Sequence, residues 1–216
     1  MLLGVIPARG GSKTISRKNL HPLNGKPLID YTIEAAKQSC LDDYIISTDD
    51  EQIREKYRKA IWRPYELAQD DTPMAPVIQH AVQVYEQSRS KKVEAVVILQ
   101  PTSPLRMAED INRCVEIFKA NLCDSLVSVF KGIHPIKSYD EGGKPFLEQM
   151  PYDKHKHRCL TRNGAIFITR RDLLDSGRLT GDSPLFYVMP KSRSIDIDDY
   201  ADLFVAEAIL SKGEIQ

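Results

Sequence analysis

The sequence predicts an α/β protein whose central sheet is mostly parallel, with helices on both faces. Two observations carry that expectation. Short aliphatic runs such as LLGVI and EAVVIL lack the polar alternation of a half-exposed strand, and stretches with apolar residues at helical spacing separate them. A strand returned by a crossover helix lies parallel to its predecessor, so this order of elements implies βαβ units.

The first run, Leu2 to Ile6, reads as a buried strand that breaks at Pro7 into a loop holding Gly10 and Gly11 among Arg9, Lys13, Arg17 and Lys18. Paired glycines let backbone N–H groups approach an anion, and four cations neutralise charge that backbone dipoles alone could not hold. The loop therefore points to a polyphosphate. It fits neither the P-loop spacing nor G-x-G-x-x-G. Pro27 opens a first helix with Ile29, Ile33, Ala36 and Cys40 on one face, and YIIST (44–48) is a second strand. Asp49 and Asp50 then stand where a helix cap is needed, and a helix over Glu51 to Lys59 follows.

After WRPYEL (62–67) comes a helix with Ile78, Ala81, Val82 and Tyr85 aligned. EAVVIL (94–99) is the third strand, and it runs straight into QPTSPLR (100–106), where two prolines stiffen the turn and hold Gln100, Ser103 and Arg106 at the strand's carboxyl end. In parallel sheets, ligands gather beyond those ends. Ile111, Cys114, Val115 and Phe118 mark a core-facing helix, SLVSVF (125–130) a fourth strand, and AIFIT and LFYVM two more, before a final helix over about 199–212. The stretch 133–162 departs from this rhythm and carries too few apolar residues for a core of its own, so it reads as an inserted arm on a single domain.

Near the carboxyl end, SIDID places Asp196 and Asp198 two residues apart, on one side of an extended segment. Two carboxylates facing together suit Mg²⁺, which takes hard oxygen ligands and completes its shell with phosphates and water. Asp198, Asp199 and Asp202 could instead cap and charge the start of the last helix, which suffices for Asp199 and Asp202 but fits Asp196 poorly, since Ile197 separates it from the helix.

Composition limits the alternatives. Thirty basic residues balance thirty acidic ones in 216, so no general field draws nucleic acid or an anionic membrane, and any anion site is local. No stretch approaches the length needed to span a bilayer, and the opening residues read as a strand rather than a secretory signal. Cys40, Cys114, Cys123 and Cys159 show no paired metal spacing and read as buried, reduced thiols. His155 and His157 are weighed as metal ligands and set aside, since no second ligand pair accompanies them.

PARGGSK with RKNL, the Arg-Pro-x-Glu-Leu segment at 63–67, LQPTSPLR, and Arg162-Asn163-Gly164 together resemble the CMP-N-acylneuraminate synthetases, the cytidylyltransferases that activate sialic acids. The family usually has Gly and Pro where this chain has Thr14 and Ser16. The resemblance implies a Rossmann-like nucleotidyltransferase fold, CTP as substrate, a nine-carbon keto-acid sugar as acceptor, a cytoplasmic setting, and a homodimer in which the arm packs on the partner. It implies a CTP site of Ala8, Arg9, Gly10, Gly11, Ser12, Lys13, Asn19 and Arg63, the last two reading cytosine. Gln100, Ser103, Arg106, Arg162 and Asn163 would hold the sugar, Asp196 and Asp198 the metal. Arg9, Lys13 and Asp198 carry the catalytic roles, and the base is either Asp198 or a metal-activated hydroxyl. The alternatives are CMP-3-deoxy-manno-octulosonate synthetase, whose first loop lacks this pattern, and a non-catalytic nucleotide-binding relative.

Overall fold

Along the first strand, β1 (Leu2–Pro7), alternate side chains enter two different cores, and both faces are buried. Leu2 and Ile6 pack with Ile29, Ile33, Ile111 and Val115, whereas Leu3 and Val5 pack with Ile78, Val82 and Tyr85. That double burial explains the unbroken aliphatic runs. The architecture comes from a computed structural model that describes residues 1–133 and 158–213.

In chain order, β1 is followed by a small hairpin of β2 (Pro22–Leu23) and β3 (Lys26–Pro27), then α1 (Leu28–Gln38), β4 (Asp43–Thr48), α2 (Glu51–Lys56), β5 (Ala60–Trp62) and α3 (Met74–Arg89). The second half contains β6 (Ala95–Ile98), α4 (Ala108–Ala120), β7 (Ser125–Ile133), β8 (Arg158–Arg170), α5 (Arg171–Asp175), β9 (Leu185–Val188) and α6 (Tyr200–Lys212). Among the described residues, seven strands form one sheet in the order β5-β4-β1-β6-β8-β7-β9. All are parallel except β8, which runs antiparallel between β6 and β7. Helices α1, α2 and α4 cover one face and α3 and α5 the other.

A third, smaller cluster joins the two ends of the chain, with Ile15, Leu23 and Leu28 against Ile197, Leu203 and Ala206. It docks α6 beside the loop that follows β1. Asp199 caps this helix, accepting from the N–H groups of Ala201 and Asp202, while Asp202 accepts from the Asp199 N–H in return.

The structure adds elements that the periodicity does not announce. The β2–β3 hairpin and β5 are too short to show a period, and the helix expected to reach Lys59 stops at Lys56 so that Tyr57 to Lys59 can turn into β5. The ends of the stretch expected as an arm, 133–162, are strand. Ile133 and residues 158–162 belong to β7 and β8, paired through Ile133↔Arg158 and Val129↔Arg162, while 134–157, with His155 and His157, lie outside the described residues. Of Cys40, Cys114 and Cys123, Cys114 alone is buried. Cys40 is exposed and Cys123 half-buried, which corrects the reading of uniformly buried thiols.

Candidate active site

The carboxyl ends of β1, β4 and β6 lie side by side, because Pro7 pairs with Ser47 and Val5 with Ile98. The loops that leave those ends line a cavity of about 260 Å³. Its wall includes Arg9, Gly11, Ser12, Lys18 and Asn19 from the first loop, Arg63 after β5, Gln100 and Thr102 after β6, and Asp196 and Asp198 ahead of α6. Segments nearly two hundred residues apart thus face one another across one space.

The first loop is held by its neighbours rather than by its own secondary structure. Ala8, buried, continues the β1 ladder by donating its N–H to Ser47 O, and the Gly10 N–H donates to Asp49 Oδ1 at 2.9 Å. Asn19 Nδ2 donates to Arg9 O at 2.8 Å, which leaves its Oδ1 as the acceptor end. Arg17, in the left-handed region at φ 51°, reaches Asp50, whose carboxylate also caps α2. Lys18 turns the other way. Its Nζ donates to Ile197 O at 2.7 Å and Asp198 O at 3.1 Å, and lies 3.7 Å from Asp198 Oδ1.

Thr102 grips the same acidic segment from the opposite side, accepting the Ile197 N–H at 2.7 Å. Asp196 is thereby set in the cavity wall with Oδ1 buried and without a hydrogen-bond partner. Burial, with Asp198 alongside, pushes its carboxyl above the usual carboxylate range, against a hydrogen bond from Thr102. A carboxylate stripped of water in this way favours a cation beside it. Gly164, at φ +70°, makes the room: a Cβ there would come within 2.9 Å of both Asp196 Oδ2 and Gln100 Oε1.

Arg63 is buried at the far side, with Nε donating to Ser47 Oγ and NH2 to Ser47 O. Burial lowers it to about 10, so it stays charged at neutral pH. His80 nearby is lowered by burial and by Arg63.

Not every residue assigned to the site faces the cavity. Lys13 is exposed, with Nζ 2.6 Å from Asp70 Oδ2, and Asp70 Oδ1 accepts from Arg9 NH1, also at 2.6 Å. These two cations hold the Asp70 carboxyl below its usual value, Lys13 most of all. Ser103, Arg106 and Asn163 lie beneath the wall. Arg106 is buried and donates to Gln100 O, Ala165 O and Thr32 Oγ1, bracing the turn that carries Gln100. Ser103 Oγ donates to Asn163 O, and the Asn163 side chain joins Ser128, Ser194 and Met189. Arg162 is exposed on β8. Lys18, Thr102 and Met74, which the sequence reading left out of the site, are in the wall. For Lys18 the signal was present, since it is one of the loop's four cations.

A family model described as cytidylyltransferase matches residues 3–189. An N-acylneuraminate cytidylyltransferase of Escherichia coli O18:K1:H7 is 35% identical over the whole chain, which spans 53% of that protein's length. A CMP-N,N'-diacetyllegionaminic acid synthase of Legionella pneumophila is 34% identical, with 99% of this chain and 97% of that one aligned. Among solved structures, a CMP:2-keto-3-deoxy-manno-octonic acid synthetase complexed with CTP superposes with a TM-score of 0.73 over 98% of this chain and 99% of its own, at 18% identity, a likeness of fold. The chain belongs to the cytidylyltransferase family.

Proposed function

We propose that this protein transfers CMP from CTP to the anomeric hydroxyl of a nine-carbon keto-acid sugar of the sialic acid type. The observation that carries the reading is the single cavity in which Arg9, Ser12 and Lys18 face Asp196 and Asp198. The sugar oxygen attacks the α-phosphorus, the bond to the β-phosphate oxygen breaks, pyrophosphate leaves, and the hydroxyl proton is lost. Chemistry of this kind rests on positioning and charge neutralisation more than on covalent catalysis.

Arg9, Ser12 and Lys18, with Lys13, which shares Asp70 with Arg9, and the Gly10–Gly11 backbone, hold the triphosphate. Asn19 Oδ1 and the free end of Arg63 read the cytosine ring, one accepting from its amine and the other donating to its carbonyl. Gln100 is the sugar residue that reaches the cavity, with Ser103, Arg106 and Asn163 fixing the turns around it.

Asp196 and Asp198 fit a divalent cation such as Mg²⁺, because Asp196 Oδ1 is a buried hard oxygen with no hydrogen-bond partner and Asp198 shares its wall. Among the described residues no group of three or more His, Cys, Asp or Glu is arranged for a metal, so phosphate oxygens and water would complete the shell. When bound, the ion neutralises charge on the reacting phosphate.

The relatives named for legionaminic and pseudaminic acids align over nearly their whole length at 34% and 30% identity, and they favour a nine-carbon acceptor over the eight-carbon one. A homodimer and a cytoplasmic setting belong to the same reading. No helix among the described residues is long and apolar enough to cross a membrane. Incubation with CTP, Mg²⁺ and a panel of acidic sugars, scored by pyrophosphate release, tests the proposal. Release with at least one nine-carbon sugar is expected; release with none of the panel would overturn it.

A further inference from the structure

Each of the four cations in the loop after β1 has an anionic partner: Arg9 and Lys13 share Asp70, Arg17 has Asp50, and Lys18 has Asp198. The partners are not equivalent. Asp50 is buried and committed to the α2 cap, so it cannot leave without unwinding a helix end. Lys18 is fixed as much by the Ile197 and Asp198 carbonyls as by the Asp198 carboxylate. Asp70 differs from both. It is exposed, and Arg9 and Lys13 are the side chains described on its carboxylate. Its turn is built without it: Ala68 N–H bonds Tyr65 O, Gln69 Nε2 bonds Tyr65 O, and Thr72 Oγ1 bonds Glu66 O.

We propose that Asp70 is a resident counter-ion for the nucleotide's phosphates, holding Arg9 and Lys13 whenever no phosphate does and yielding them to the triphosphate on binding. The inference rests on the CTP reading above and adds a residue to it. A carboxylate bridging two cations at 2.6 Å offers them the oxygen geometry that a phosphate offers, but with one negative charge instead of several. The exchange therefore runs toward the triphosphate while the pair stays poised. It works in reverse after reaction, when Asp70 competes with pyrophosphate for the same two side chains. An exposed ion pair is weak enough to exchange readily.

The test is calorimetric titration of the parent and Asp70→Asn with CTP, cytidine and inorganic pyrophosphate, with EDTA present, at low and moderate salt. Removing one negative charge beside the phosphates predicts about three- to tenfold tighter binding of pyrophosphate and CTP, shrinking as salt is added, with cytidine affinity unchanged. In turnover the variant should show a correspondingly lower inhibition constant for pyrophosphate. Unchanged or weaker pyrophosphate binding in Asp70→Asn, with the parent binding CTP normally, would overturn the counter-ion role and leave Asp70 as a brace for Arg9. A parent that binds neither CTP nor pyrophosphate would instead remove the reading beneath it. Because Asp70 is exposed, matching thermal melts are expected for the two proteins.

Discussion

Replacing Gly164 with alanine tests the geometry of the reacting centre directly. The residue stands at φ +70°, and its new Cβ would lie 2.9 Å from both Asp196 Oδ2 and Gln100 Oε1, against 3.4–4 Å for ordinary contact. Two costs follow, and they separate. The left-handed backbone costs a side chain about 1–2 kcal/mol, which for a chain of this size is roughly 2–8 °C in Tm. The collision forces two cavity residues back by about half an ångström, and misplacement on this scale costs roughly 10- to 100-fold in rate. Gly177 supplies the control, because it stands at φ +81° with nothing within 4 Å of its Cβ position. Gly177→Ala should lose comparable stability and keep its turnover. Urea unfolding and a pyrophosphate-release assay on both variants read the two effects apart. Gly164→Ala with turnover within about twofold of the parent would refute the claim that the placement of Asp196 and Gln100 limits the reaction.

Asp196→Asn keeps the shape of the wall and removes its charge; turnover should fall by about 100-fold or more, with the CTP dissociation constant moving by about threefold or less. Near-normal turnover would count against the metal assignment. Arg106→Met keeps most of the volume but leaves Gln100 O, Ala165 O and Thr32 Oγ1 without their donor. It should cost about 3–5 kcal/mol in urea unfolding, and a loss below about 1 kcal/mol would show that the guanidinium is no brace. At the opposite end of the sheet, burial works against ionisation of Asp43, but Lys59, the Tyr44 N–H and the Tyr85 hydroxyl outweigh it and hold the carboxyl below its usual value of 3.8. A depressed folded value means that its stabilisation is complete above about pH 4 and disappears as pH falls through that lower value. Asp43→Asn should therefore be less stable than the parent by about 1 kcal/mol at pH 7, with the difference closing at the acid end of a urea series.

The sequence makes the sheet readable because strands buried on both faces must be free of polar side chains, as Leu2 to Ile6 and Ala95 to Leu99 are. It does not reveal the reversed direction of β8, since a buried antiparallel strand has the same composition as a buried parallel one. The site follows the same division. Arg9, Ser12, Asn19, Arg63, Gln100, Asp196 and Asp198 stand in loops whose residue types announce them, and they meet in the cavity. Arg106 stands in an equally conspicuous string, yet its side chain folds under the turn to satisfy carbonyls, and nothing in a linear pattern tells which side of a turn a long side chain takes. Lys18 was visible as charge, but its value lies in acceptors at Ile197 and Asp198, and such a pairing exists only after folding.

That bond joins positions separated by 179 residues, and the small cluster beneath it is built from the same two ends of the chain. A polypeptide still emerging from the ribosome can assemble the early strands and their helices, but it has no closed pocket until the stretch beyond Ser194 has been made. A product cut after Ser194 would therefore retain the sheet and the helices on its faces, yet lack Asp196, Asp198 and the α6 side of the small cluster.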